Sequence, residues 1–248
     1  MVDVSLIRVL EPHVVNQIAA GEVVERPAAV VRELLDNALD AGATRITIEL
    51  EKGGIELVRV TDDGSGMSED QLPLAVHPHA TSKIEHAEDL VRVGTMGFRG
   101  EALASIASVA RVSVRSRARG EDQGAELAIN GGAAEPMKPA GLPVGTSVTV
   151  RTLFFNTPAR RKFLRTLQTE QQHCTEAVKR IAMSHPAIGV TLIIDARTIF
   201  DLPPGQSPRA RVFAILGKEH ETQYLEVSAD ELSDERGMAE DQRWFGRR

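Results

Sequence analysis

The chain has 248 residues, 42% of them hydrophobic, enough to bury one large core or one and a half ordinary ones. Its formal charge of -6 supplies no global positive field, so any contact with nucleic acid needs a local patch. A single cysteine, Cys174, cannot close an internal disulfide. The first residues lack a basic segment followed by an apolar one, and no apolar run approaches the roughly 20 residues that span a bilayer, so a reducing cytoplasm is the default reading.

The first element is a helix opening after Pro27, with Val30, Val31, Leu34, Leu35, Ala38 and Leu39 on one face and Gly42 just past its end. Glu33 and Asn37 are four residues apart and stack on its acidic edge. A carboxylate there can activate water, and an amide oxygen is a hard donor of the type Mg²⁺ accepts beside substrate phosphates. Taken alone, the pair reads as the polar edge of a surface helix. A hairpin follows, with Ile46, Ile48 and Leu50 alternating on one strand, Lys52-Gly53-Gly54 as the turn, and Leu57 to Val60 as the return.

At the end of that strand stands Asp62-Asp63-Gly64-Ser65-Gly66. A carboxylate here can accept a hydrogen bond from an exocyclic amine such as adenine's, and the glycines allow close approach to a flat base; Asp and Gly are also ordinary turn residues. A second helix is expected from Ser68, with Gln71 completing a capping box. Residues 77 to 100 carry Pro78, Gly94, Gly97 and Gly100 with little periodicity, which predicts a long mobile loop. His77, His79 and His86 in it read as solvated histidines rather than a metal cluster.

Gly94-Thr-Met-Gly-Phe-Arg-Gly100 runs into a helix over Glu101–Val109, bringing backbone N–H groups to a helix start, an anion site to which Arg99 and Lys83 can add charge. The spacing fits neither a Walker loop nor a dinucleotide fingerprint. Strands are expected over 111–117, 124–130, 145–153 and 188–195, with a long helix from about Pro158 to Ser184 before the last, and Pro203-Pro204-Gly205 as a linker. Strands joined by short turns with helices on one side predict a two-layer α+β sandwich. Arg111, Arg115, Arg117 and Arg119 repeat at even spacing, giving either a DNA-backbone patch or a solvated sheet face. Arg160, Arg161, Lys162 and Arg165 pose the same alternative, without interleaved aromatics to suggest base stacking.

Several runs together resemble the MutL family of DNA mismatch-repair ATPases. They are Asn16-Gln-Ile-Ala-Ala-Gly-Glu-Val-Val-Glu-Arg-Pro27, Glu33-Leu-Leu-Asp-Asn-Ala-Leu-Asp-Ala-Gly-Ala43, Asp62-Asp-Gly-Ser-Gly66, Gly97-Phe-Arg-Gly-Glu-Ala-Leu103, Gly145-Thr146 and Phe154-Phe-Asn-Thr-Pro-Ala-Arg-Arg-Lys-Phe-Leu164. The resemblance covers about residues 7 to 204. It implies the Bergerat-type (GHKL) ATP fold shared with gyrase, a heat-shock chaperone and bacterial histidine kinases. It also implies ATP and Mg²⁺ as cofactors, Glu33 as general base, Asn37 as Mg²⁺ ligand, Asp62 on the adenine amine, Gly66 against the base and Thr146 at the adenine end. Lys83 and the segment Gly97, Phe98, Arg99, Gly100, Glu101, Ala102 and Leu103 would hold the phosphates, within a lid over about 77–103. ATP would order this lid and an amino-terminal arm (residues 1–20), driving homodimerisation that signals mismatch recognition to downstream repair proteins at the nucleoid. A rival reading is a GHKL module that uses ATP only as a structural ligand.

Two departures from the pattern stand out. Pro78 occupies a position where the family usually has Arg, removing a guanidinium from the lid, while Thr95-Met96 replaces Ser-Leu at similar size. Residues 205–248 read as a linker and the truncated start of a transducer-like domain. The family's second domain supplies a lysine to the terminal phosphate, so weak turnover is expected of this stretch alone.

Overall fold

Apolar residues at every second position set the sheet, and an apolar stripe on two helices covers it. In the computed structural model, which describes residues 23–77, 80 and 102–217, the chain begins with α1 (Pro27–Asp40), β1 (Arg45–Glu51), a 3-10 turn (Lys52–Gly54), β2 (Leu57–Asp62) and α2 (Gln71–Ala75). It continues through α3 (Ala102–Val109), β3 (Arg111–Arg117), β4 (Gly124–Asn130), β5 (Ala133–Ala134), β6 (Lys138–Ala140) and β7 (Gly145–Arg151). The last elements are α4 (Pro158–Phe163), α5 (Leu167–Ser184), β8 (Gly189–Ile194), β9 (Arg197–Leu202) and α6 (Pro208–Leu216). Two units divide the chain, Met1–Arg211 and Val212–Arg248.

The described strands form one sheet in the order β5-β4-β3-β7-β2-β1-β8-β9, with β6 paired to β4. Every pairing is antiparallel except β1 with β8. Ile46, Ile48 and Leu50, Val58 and Val60, Val112 and Val114, and Val148 and Val150 fill the inner face and are buried. Against them lie α1, burying Val30, Val31, Leu34, Leu35 and Ala38, and α5, burying Cys174, Val178 and Ala182; the two helices also pack on one another. Each such Val or Leu contributes about 1.5–3 kcal/mol relative to exposure. The result is the expected two-layer α+β sandwich.

The other face of the sheet is polar. Arg59 Nη1 donates to both oxygens of Glu49 at 3.1 Å, and Ser113 Oγ donates to Glu126 at 2.7 Å. These residues line an open hollow of about 480 Å³ with Arg115 and Arg151. Arg111 lies 5.1 Å from the centre of the Phe155 ring, Arg115 donates to the Gly141 carbonyl at 3.1 Å, and Arg119 falls beyond the end of β3. Arg111 and Arg115 are therefore engaged by different neighbours rather than held as one uniform row.

Four expectations are corrected. The helix from Pro158 to Ser184 is two helices, because Leu164 adopts an extended conformation and Thr166 caps α5 by accepting from Thr169 N. Gln71 Oε1 does accept from Ser68 N at 3.0 Å, but the helix begins at Gln71, leaving Ser68 in the turn before it. Strand β9 was not expected: Asp195 and Ala196 make its two-residue hairpin turn at φ 47° and 62° without a glycine, so no turn signal marks it. Finally, Phe163 is 85% exposed beside Lys162, so an aromatic does stand within the basic segment around α4.

Among the described residues of the first unit, two charged side chains are fully buried, Glu170 and Arg211. Arg211 is 0% exposed; its guanidinium donates to the carbonyls of Ala182, Pro186, Ile188 and Pro203 and to Gln206 Oε1 at 2.6–3.1 Å. Each nitrogen of the guanidinium thereby reaches a neutral acceptor, with three carbonyls sharing the two N–H groups of Nη2, tying the end of α5 to the loops flanking β8 and β9.

Candidate nucleotide-binding site

Three inward positions break the apolar rule at one end of the core. Asp62 follows Val58 and Val60, Thr146 precedes Val148 and Val150, and Ser116 follows Val112 and Val114. Register places them side by side, Asp62 opposite Thr146 and Thr146 opposite Ser116 across β2, β7 and β3. All three point toward the helical layer, where a polar row needs partners or a ligand.

Asp62 finds some of those partners. Its Oδ1 accepts from Gly64 N at 2.9 Å, and the Thr146 N–H also donates to its carboxylate. Burial still dominates, pushing the carboxyl up to about 6 despite these two bonds, with the neighbouring Asp63 charge adding to the rise. Asp63 behaves oppositely. Its slight burial raises the carboxyl, but the Thr44 hydroxyl at 2.6 Å and the backbone N–H groups of Thr44 and Arg45 at 2.7 and 2.8 Å prevail and hold it below the ordinary value. Asp63 braces the turn, while Asp62 is held at a site that disfavours its own charge.

The turn itself is pinned on both sides. Ser65 N donates to the Ala41 carbonyl at 2.9 Å, and Arg119 N donates to Ser65 O at 3.1 Å. Gly66 adopts φ +68°, and a Cβ there would strike the Arg117 carbonyl. Gly145, at φ +127°, approaches the Asp62 carbonyl just as closely. Ser116 links the parts: its Oγ donates to Gly145 O at 3.0 Å, accepts from Met67 N at 2.8 Å, and lies 2.9 Å from Thr146 Oγ1.

Ala41 connects this cluster to α1, since its carbonyl holds the turn while its N–H bonds to Asn37 O at 3.0 Å. Asn37 is exposed and Glu33, one turn earlier, is partly covered; the Glu33 side chain is 20% exposed and lies 3.8 Å from Arg32 Nη2. Ala102 and Leu103 open α3, half-buried, and α3 approaches α1. The structure thus pairs Asp62 with Thr146 directly, brings the Gly66 turn to them through Ser116 and the end of β3, and abuts that turn to the helix end that follows Asn37. Lys83, Gly97, Phe98, Arg99, Gly100 and Glu101 lie outside the described residues, as do Pro78, His79, His86, Thr95-Met96, the bulk of the lid, and the amino-terminal arm.

Among the described residues no group of three His, Cys, Asp or Glu stands together. Asn37 is exposed on α1, and an amide oxygen is a hard donor of the kind Mg²⁺ accepts beside phosphates and waters. Two contributors had escaped the sequence reading. Ser116 is legible as a polar residue at an inward strand position; Asp63 is indistinguishable from Asp62 until the register is known.

Comparisons with known proteins identify the family. Residues 25–141 match the family described as histidine kinase-, DNA gyrase B-, and HSP90-like ATPase. The chain is 52% identical over 223 residues to the DNA mismatch repair protein MutL of Acidiphilium cryptum, covering 90% of this chain and 38% of that protein. It is 51% identical over 230 residues to MutL of Pseudomonas fluorescens, covering 91% and 36%. The chain thus spans little more than a third of these relatives. Among solved structures, the Aquifex aeolicus MutL ATPase domain complexed with ADP superposes with a TM-score of 0.63 at 36% identity, over 78% of this chain and 69% of that one. With a GHKL-type sandwich, an acidic glycine turn at its polar end and this degree of identity to the Aquifex domain, the chain belongs to the MutL family of DNA mismatch-repair proteins and carries its ATP-binding module.

Proposed function

We propose that this chain binds ATP with Mg²⁺ between α1 and the Asp62–Gly66 turn, and hydrolyses it with Glu33 as general base. The observation that carries the reading is Asp62, a half-buried carboxylate held against its own desolvation at a strand end, beside a glycine whose neighbours leave no room for a side chain. A site that accepts such a cost is matched to a hydrogen-bond donor, and the adenine amine is one. The Aquifex relative was solved with ADP, which supports the same class of ligand here.

In this reading Asn37 is the protein's ligand to Mg²⁺, which would neutralise phosphate charge when bound. Glu33 takes the proton of the attacking water, Gly66 and Thr146 border the base, and Lys83 with the backbone from Gly97 to Leu103 encloses the phosphates. Closure of that lid and of the amino-terminal arm favours a homodimer, which passes mismatch recognition to downstream repair proteins in the cytoplasm. In this reading residues 1–204 are the nucleotide domain, and residues 205–248 are a linker and part of a transducer-like domain.

The experiment is Glu33→Ala. General-base catalysis contributes about 10²- to 10⁴-fold, so turnover is expected to fall by that order while nucleotide affinity changes little. Unaltered turnover removes Glu33 from the chemistry. Absence of turnover in the unmodified chain as well favours ATP as a structural ligand.

A further inference from the structure

Ser116 has three hydrogen-bond partners and one proton. The Gly145 carbonyl is purely an acceptor, so the Ser116 proton goes to it. The Met67 N–H is purely a donor and takes one Ser116 lone pair. What remains on Ser116 is a lone pair, facing Thr146 Oγ1 at 2.9 Å. For all three bonds to exist together, Thr146 must give its hydroxyl proton to Ser116. Both residues are buried, at 1% and 9% exposure, so water does not relieve the constraint.

We propose that Ser116 is a specificity-determining positioning residue: by taking the Thr146 proton it fixes the Thr146 oxygen as an acceptor, so that the row formed with Asp62 selects a base carrying an amine over one carrying a carbonyl. The inference rests on the reading of Asp62 as the adenine contact. The ionised Asp62 also offers only lone pairs, and the register sets Thr146 between Asp62 and Ser116. At C6 a 6-amino purine meets the two acceptors with a donor, whereas a 6-oxo purine sets a third acceptor there and offers its donor only at the neighbouring N1, a mismatch of the kind by which binding sites reject close analogues most strongly. Without Ser116 the Thr146 hydroxyl is free to turn and donate.

The test measures ADP and inosine diphosphate affinities by calorimetry at neutral pH, neither ligand being a substrate for hydrolysis at the terminal phosphate of ATP. The native chain is expected to prefer ADP. In Ser116→Ala the ADP-to-IDP ratio should fall about tenfold, roughly one hydrogen bond to a buried polar group, with part of the change arising from tighter IDP binding. Ser116→Cys, similar in shape and a weaker acceptor, should shift the ratio in the same direction and serves if the alanine variant does not fold. In Thr146→Val the ratio should also fall, and adding Ser116→Ala to it should change nothing further. A merely structural role for Ser116 would weaken both ligands equally and leave the ratio unmoved. That result, with Asp62→Asn still losing ADP, overturns the assignment of Ser116 and leaves the adenine site standing. If Asp62→Asn retains native ADP affinity, the adenine site itself is refuted.

Discussion

Asp62 and Asp63 are adjacent and chemically identical, yet the fold drives them apart. Asp62 faces the core and is raised to about 6 by burial; Asp63 faces Thr44 and is lowered by the hydrogen bonds it accepts. For Asp62 the folded value exceeds the unfolded one of 3.8. Its contribution to stability is therefore fully present below about pH 3.8 and is lost as pH rises through about 6. At neutral pH the free domain bears a cost on the order of 1–3 kcal/mol for keeping this group charged. Asp62→Asn keeps the acceptor for Gly64 N and removes the charge, so it should raise the melting temperature of the nucleotide-free protein at pH 7.5 while weakening nucleotide binding. In the native chain, nucleotide affinity should fall as pH drops below about 6, where Asp62 gains a proton. A variant that is no more stable, or affinity that is flat between pH 5 and 7.5, contradicts this account of Asp62.

Elements matter here mainly for how they end. Strand β2 ends in the acidic turn, α1 ends at Ala41 against the same turn, and β3 ends at Arg117 under Gly66. Gly66 and Gly42 provide a direct comparison, since both have positive φ, +68° and +71°, but only Gly66 faces backbone that a Cβ would strike. Gly42→Ala should cost only the left-handed penalty of about 1–2 kcal/mol, whereas Gly66→Ala must displace the end of β3 and should cost more and reduce nucleotide affinity. Equal denaturation midpoints for the two variants would show that the turn is not clamped between α1 and β3.

The same elements show what a sequence can reveal. Alternation made the hairpin of β1 and β2 and strands β3, β4, β7 and β8 readable, and a stripe with Pro27 at its head made α1 readable. Strand β9 was hidden by a turn without glycine, and the break between α4 and α5 by helix formers on both sides of Leu164. In the candidate site, motif resemblance points to Asp62, Gly66 and Thr146, but the row that Asp62 and Thr146 share with Ser116 depends on strand register, which no local pattern encodes.

At the scale of the whole first unit, positions as far apart in the chain as Ala41 and Thr146 border one turn because the sheet order sets β7 between β2 and β3 and α1 ends on the turn that follows β2. The same order leaves the opposite face of the sheet, with its paired arginines and glutamates, remote from the Asp62 row. The account stands on the claim that nucleotide and Mg²⁺ meet at the edge of α1. Calorimetry with a nonhydrolysable ATP analogue, with and without Mg²⁺, on the native chain and on Asn37→Ala addresses it directly. The prediction is that Mg²⁺ tightens binding to the native chain and that Asn37→Ala abolishes the difference; equal affinity in all four titrations would contradict it.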